Sequence, residues 1–541
     1  MEARFLTPLQ LWQDFSPSRQ PLDVNYVSSE TVEDIPLKTL FFNAFSDEDG
    51  KVRALARLFL PDPKGKKMII YVPDFGDDPY KTALEIAHMG YNVGYVDITG
   101  EGSVCTEYTG SYAYGKLSEA KKNLHNCLPS AKASPVFLWT RMLSRFVTLL
   151  MDLFPRSKPI VFGTRQANEV VWPLCAMDNR MYGGVSVLGW GLQEHRNNLP
   201  LEEDENQHKW EIALSPQAYA KYMVCPILIV TSTNHASHTF DKLDHLVSLL
   251  PEPSMCATVV SNRLNHQISG SSYFTLWRWI EGRYSAKKEL PKNPELTYTV
   301  DGEGIQFAVT PDQSDKKAAS VFLFFTYDEK DPEYRSWQSL TAKAEEEDTH
   351  FTVRIAPCDH EVVAYACVRY RDGVEIASTP LAVTLTPDMP RKRLTPSKLL
   401  FDTSMDITFF AETRGVTLAD DAFQVARCPQ GIQGVVAKEG NLVSYCVGEK
   451  RRIVASGSLQ VWAYTEEERV FYISLTVLRD GVYHTYTAKQ YLPGSMEWQR
   501  FELDPEDFRD QDRLPMGDWS GMKRIEIEQA EGILFNNMLW V

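Results

Sequence analysis

The stretch 159–176, PIVFGTRQANEVVWPLCA, is where this chain comes nearest to a catalytic arrangement. A short apolar run reads as a strand, Gly163 as a tight turn, and Gln166 onward as a helix. A side chain at the centre of such a turn stands on strained backbone with its tip exposed, the placement of the nucleophile in a G-x-S-x-G frame. Here the frame reads Gly163-Thr164-Arg165-Gln166-Ala167. Arg165 holds the nucleophile position, and a guanidinium stays protonated with no lone pair to attack a carbonyl. Two hydroxyls are alternative nucleophiles, Thr164 beside the centre and Ser103 in the GEGSVC loop, although such hydroxyls more often shape turns. Arg165 itself has two readings. It pairs with an acid such as Glu169 one helical turn on, or it takes a carboxylate or phosphate at the helix N-terminus.

A second group contains imidazoles. His235, His238 and Asp241 recur every third residue, so a helical turn could align them, and with His266 they would suit zinc or a similar ion. No metal-binding signature is matched, so neither a metal nor another cofactor is expected.

These residues need elements to position them. Residues 67–72 (KMIIYV), 92–97 (NVGYVD), 159–163, 185–188 and 226–231 (PILIVT) are short apolar runs, as in strands buried on both faces. Residues 81–89, 137–154 and 166–176 carry helical spacing. The alternation predicts a doubly wound, mostly parallel sheet with helices on both faces and a site at the C-terminal ends of its strands. Further on, 298–309, 319–327, 350–355, 362–370 and 374–377 alternate like strands, with a turn at Arg371-Asp372-Gly373. The same holds for 460–464, 470–478, 483–488, 524–528 and 533–541, with a turn at Asp480-Gly481. Arg335, Arg369 and Arg371 read as a solvated face.

Two proline-rich stretches, 287–294 (KKELPKNP) and 386–397 (TPDMPRKRLTPS), read as linkers. They predict three domains: an α/β domain at 1–286, an immunoglobulin-like or fibronectin-like sandwich at 295–385, and a jelly-roll sandwich at 398–541.

Several pieces stand in a telling order: Asp74-Phe75-Gly76 after KMIIYV, then AHMGYNVGYVDITGEG, TEYTGSYAYG, the elbow frame, CAMDNRMYGGVSVLGWG, SPQAYA, CPILIVTSTN and LNH. In that order, over about residues 39–281, the chain resembles α/β-hydrolases of the acetyl xylan esterase and cephalosporin-C deacetylase type. The resemblance implies a base at His266. It implies an acid at His235 or Asn234, where the expected Asp is missing. It implies oxyanion donors from the backbone of Gln166 and from the 74–77 loop at Phe75 and Gly76. Losing the serine leaves roughly 10³–10⁴ over water, from binding and the oxyanion hole. The end of the chain, WQRFEL, Phe508 and ILFNNMLW, resembles the last strands of carbohydrate-binding jelly rolls. Asn536 stands where those often have an Asp that binds calcium. Trp462, Tyr464, Tyr486 and Trp519 are the rings that would stack on a sugar.

Composition narrows the partners. The 541 residues hold 56 Lys and Arg against 72 Asp and Glu, a net charge of -16, which excludes a general polyanion binder and argues against nucleic acid. Apolar runs fall short of the roughly 20 residues a membrane span needs. The first residues lack a basic segment followed by an apolar core, and the nine cysteines form no CxxC pair, so a cytoplasmic, reduced protein is expected. The expected function is a catalytically degenerate, acetyl-esterase-like protein that binds a glycan or acylated sugar, with homo-oligomerisation compatible. The alternatives are an active carbohydrate or acyl esterase with an unconventional nucleophile and His266 as base, and a non-catalytic scaffold for other proteins.

Overall fold

A computed structural model describes residues 5–114, 124–189, 205–235, 240–264, 267–285, 288–312, 316–327, 332–345, 349–355, 361–383, 398–403, 410, 423–438, 440–445 and 457–541. The chain forms two compact units. One comprises Met1–Thr231, Lys242–Val259 and Leu276–Lys292, and the other Ser232–Asp241, Val260–Thr275 and Asn293–Val541.

The first unit is built on a ten-stranded sheet. Its strands are β1 (Asn25–Val32), β2 (Ile35–Asp47), β3 (Gly50–Phe59), β4 (Lys67–Val72), β5 (Asn92–Val96), β6 (Glu107–Tyr108), β7 (Lys158–Thr164), β8 (Gly183–Val187), β9 (Ile227–Ser232) and β10 (Cys256–Ser261). The order is β1-β2-β3-β5-β4-β7-β8-β9-β10, with β6 on β3. The pairs β5-β4, β4-β7, β7-β8 and β8-β9 are parallel. Every residue of β5 and β8 is buried, as their uninterrupted apolar runs require. Helices α1 (Pro8–Trp12), α2 (Pro79–His88), α3 (Pro135–Leu153) and α4 (Asn168–Met177) include the three that the spacing predicts.

The sequence reading missed the antiparallel side of the sheet, β1 to β3. Strand β1 is almost wholly exposed and carries no apolar run. It turns into β2 through Glu33 (φ 47°) and Asp34 (φ 65°), a two-residue hairpin turn without the glycine that usually marks one.

One ion-pair cluster braces this unit. Glu281, in the helix Gly270–Tyr284, takes Lys67 Nζ at 2.8 Å and Lys288 Nζ at 3.2 Å, together with the Tyr91 hydroxyl. Burial alone would raise its pKa, but the hydrogen bonds from Lys67, Tyr91 and Lys288 hold it at about 2. A depressed carboxylate stabilises the fold fully above its unfolded pKa near 4.5 and loses that contribution as pH falls toward 2. Glu281→Gln is therefore expected to cost about 2 kcal/mol at pH 7, discounted for partial exposure, and progressively less between pH 4.5 and 2. Urea unfolding of both proteins across that range checks it. A pH-independent cost would show that packing, not charge, is what the substitution removes.

The second unit consists mainly of antiparallel sheets. Among the described residues of 295–383 there are two. One sheet holds Glu295–Asp301, Gly304–Thr310, Phe351–Ile355 and Lys343–Ala344. The other holds Gln338–Thr341, Ala318–Tyr327, Val362–Tyr370, Glu375–Ala377 and Leu381–Val383. The run 298–309, expected as one strand, is a hairpin. Asp301 Oδ1 accepts from Glu303 N at 2.8 Å and Gly304 N at 3.1 Å, and this turns the chain. Within 398–541 a six-stranded and a four-stranded sheet share one apolar core, with Val461 and Phe535 from the first and Ile473, Leu475 and Ile525 from the second. The expected turn at Asp480-Gly481 joins Arg469–Arg479 to Val482–Leu492, with both turn residues left-handed (φ 50° and 77°).

Arg335 departs from expectation. It is 4% exposed, and its guanidinium holds both oxygens of Asp241, with Nη2 to Oδ2 at 2.7 Å. Its carbonyl accepts from Asn234 Nδ2 at 2.9 Å, and the carbonyl of the nearby buried Trp337 accepts from Arg263 Nε at 2.8 Å. A buried guanidinium needs such a partner, so this arginine is structural and not solvated. Arg369 and Arg371 are exposed as expected. The linker 386–397 lies outside the described residues. Among the described residues no helix is long and apolar enough to cross a membrane.

Candidate functional site

Strand β7 ends at Thr164 and the chain turns sharply. Arg165 is left-handed at φ 46°, Arg165–Ala167 form a 3-10 turn, and α4 follows. A non-glycine residue in this region costs of order 1–3 kcal/mol and persists only where its surroundings enforce it. Here Asn168 Nδ2 donates to the Arg165 carbonyl at 3.1 Å and to the Val187 carbonyl at 2.8 Å. A Cβ at Gly189 would lie 2.1 Å from the Arg165 oxygen, so the residue there has to be glycine. The strained elbow is thus fully formed around an arginine.

The guanidinium is committed. Arg165 Nε lies 3.2 Å from Asp74 Oδ2, and Nη2 lies 3.1 Å from Asp77 Oδ1. Both acids sit in the loop after β4, and β4 lies beside β7 with Val72 opposite Gly163. The expected pairing with Glu169 does not occur. Glu169 bonds His125 Nε2 at 2.7 Å, because Arg165 stands on the elbow and not on the helix, where residues four apart share a face. Asp77 Oδ2 accepts from the Tyr71 hydroxyl at 2.9 Å, Asp74 N at 3.1 Å and Thr164 Oγ1 at 3.4 Å. Thr164 therefore also spends its hydroxyl on this cluster.

Asp74 has a pKa raised to about 6. Burial is the largest cause, opposed by the Arg165 guanidinium and by the backbone N–H groups of Phe75 and Gln166, while Asp77 pushes it further up. The sequence reading named Phe75 and Gln166 as oxyanion donors but gave Asp74 and Asp77 no partner role. The signal was present: two acids in DFGD directly after the first parallel strand, at the sheet edge where the elbow also stands.

Beside this cluster are two spaces. A cavity of ≈ 10 Å³, barely one water, lies between Phe75, Trp139, Gln166 and Val170. A second, of ≈ 540 Å³, opens between the loop after β4 and the loop after β5. Phe75, Gly76 and the exposed Ser103 line it, together with Arg57.

The other candidates lie in the second unit. His235 is buried, 3% exposed. The neighbouring Asn234 is spent on structure, with its N–H bound to the Leu264 carbonyl at 3.0 Å and its amide to Arg335. Asp241 is taken by Arg335, which removes it from the metal reading. His238 and His266 lie outside the described residues. Among the described residues no group of three His, Cys, Asp or Glu side chains could hold a metal ion.

Of the four rings proposed for sugar stacking, three are buried. Tyr464 is 1% exposed, Trp519 5% and Tyr486 7%, and Trp519 Nε1 donates to the Gly457 carbonyl at 2.7 Å. Tyr486 and Trp519 belong to the apolar core between the two sheets, whereas Tyr464, on the face of its strand opposite Val461 and Ala463, is covered with its ring centre 5.8 Å from that of Trp498. Trp462 is half-buried. Asn536 ties strands together: its Oδ1 accepts from Thr403 N at 3.1 Å and its Nδ2 donates to the Gln433 carbonyl at 2.9 Å.

The mixed sheet, with its parallel strands meeting a strained elbow after β7, gives the N-terminal half an α/β-hydrolase type of fold, and antiparallel sheets make up most of the rest. No protein-family model and no curated protein sequence matches the chain. Solved structures do. Acetyl xylan esterase 1 from Thermoanaerobacterium sp. is 16% identical with a TM-score of 0.38, covering 52% of this chain and 96% of that one. Acetyl xylan esterase from Paenibacillus sp. R4 is 14% identical with a TM-score of 0.36, covering 49% and 90%. Glucuronoyl esterase from Solibacter usitatus is 12% identical with a TM-score of 0.36, covering 50% and 88%.

Proposed function

We propose that the α/β-hydrolase-like unit binds a carbohydrate or an acylated small molecule without hydrolysing it. The observation that carries this reading is the clamped elbow. Arg165 replaces the nucleophile, and two carboxylates hold its side chain in place. Acyl transfer also needs empty donors where negative charge develops on the substrate oxygen. The N–H groups of Phe75 and Gln166, the candidates for that task, already act on the Asp74 carboxylate. An alternative hydroxyl at Thr164 donates to Asp77, which Arg165 and Tyr71 also engage. The remaining asset is space, the open cavity next to the elbow, and space of that kind suits binding.

The expected result is that the purified protein does not release p-nitrophenol from p-nitrophenyl acetate, or acetate from acetylated xylo-oligosaccharides, faster than buffer. Turnover that disappears in His266→Ala would overturn the reading.

A further inference from the structure

We infer that Arg57 makes the ≈ 540 Å³ cavity of the first unit a site for a ligand carrying a single carboxylate. The inference rests on the reading of this unit as a ligand binder, but not on the loss of hydrolysis.

Arg57 stands on β3 and lines the cavity. It is half-buried, and among the described residues no carboxylate pairs with it. Its Nη1 donates to the Tyr95 hydroxyl at 3.2 Å, and its guanidinium carbon lies 5.9 Å from the centre of the same ring. Among the described residues, the rest of the planar fork has no acceptor. Arg165 next door is the contrast, with two acids in contact. A guanidinium held half out of water without a counter-ion is set to receive one, and its fork matches a carboxylate in two parallel hydrogen bonds.

The other groups around the cavity restrict what that anion can be. Asp97 is consumed by the loop that follows it, taking Thr99 N at 2.9 Å, Thr99 Oγ1 at 2.7 Å and Thr106 N at 2.7 Å. Asp77 is consumed by Tyr71 and Arg165. With Asp74 and Glu101 they line the same walls with carboxylates. A phosphate dianion would meet their repulsion twice over, whereas one carboxylate can sit on Arg57 with an uncharged body. Leu55, Phe75, Ile98 and Val104 provide apolar surface for that body, whether a pyranose face or an acyl or aromatic group. The volume falls in the range of small-molecule sites.

The test is calorimetric titration of the full chain with galacturonate and with galactose, which share a ring and differ in the carboxylate. Benzoate serves as a non-sugar carboxylate and inorganic phosphate as a dianion. Galacturonate is expected to bind at least about 10-fold more tightly than galactose, with the difference erased in Arg57→Gln. If Arg57→Gln does not fold by circular dichroism, Val104→Trp serves instead, since it fills the cavity from an exposed rim position and should abolish binding. Arg57-dependent binding of benzoate but not of galacturonate sustains this inference while removing carbohydrate from the proposed function. Equal affinity for galacturonate and galactose without Arg57-dependent benzoate binding, phosphate bound as tightly as the carboxylates, or no Arg57-dependent carboxylate binding at all overturns it.

Discussion

Arg165→Ser is expected to leave the protein inactive as an esterase and to destabilise it by about 2–3 kcal/mol. Removing one partner of a buried ion pair typically costs about 3–5 kcal/mol, because the remaining charge stays behind, and the 23% exposure of Arg165 lowers the figure. The loss falls on Asp74 and Asp77, which would then face each other without a cation. Arg165 is the largest influence holding the Asp74 pKa down, so Asp74 should take up a proton at higher pH in the variant. The sign follows from the raised value. A carboxylate whose folded pKa is about 6 helps the fold most below its unfolded value near 3.8, and that help fades as pH rises through 6. Arg165→Ser should therefore be most damaging above pH 6, and Asp74→Asn added to it should restore part of the loss. Urea unfolding at pH 5 and pH 8, with p-nitrophenyl acetate turnover on the same samples, reads both halves. Robust esterase activity in Arg165→Ser would show that the elbow arginine was all that blocked catalysis.

Asp241→Ala is expected to cost about 3–5 kcal/mol, the larger effect in the second unit. It strips the bidentate carboxylate from Arg335, whose side chain is 5% exposed against 28% for Asp241. The asymmetry allows a sharper expectation. Arg335→Met removes the buried charge and leaves only a partly hydrated Asp241, so it should cost less than Asp241→Ala, and the double variant should resemble Arg335→Met. Trp337 is buried against Phe240 and Tyr365, with ring centres 5.8 and 5.4 Å away, so tryptophan fluorescence during guanidinium unfolding follows this region. Equal costs for the two single variants would assign the effect to packing.

What could be read in the residues followed the reach of the interactions. Continuous apolar runs such as 67–72 marked their strands to the residue, because burial on both faces leaves no polar position. The elbow was legible for the same local reason: an apolar strand, Gly163 and a helical run stand side by side. Its meaning was not. Arg165 and Asp77 are 88 residues apart, and only the placing of β4 beside β7 joins them. Arg335 looked solvated because nothing near it in the chain is its partner, which lies 94 residues earlier. Tyr486 points into the core because alternation fixes a period but not a direction, and Tyr464 is buried on the other face of its strand beside Trp498, which the chain supplies 34 residues later. Arg57 was passed over because an arginine on a strand is unremarkable until its lack of a counter-ion is visible.

The two units are interleaved, and this bears on heredity. The second unit draws Ser232–Asp241 and Val260–Thr275 from within the stretch that builds the first. A single cut after residue 292 does not release a self-sufficient module. It strands Asp241, Asn234 and Arg263 without Arg335 and Trp337, the groups that satisfy them. Recombination that swapped one half as a cassette would break the same bonds. Changes at 232–241 and 332–337 must then be inherited together, so covariation between these short segments is the trace to look for as the chain diverges.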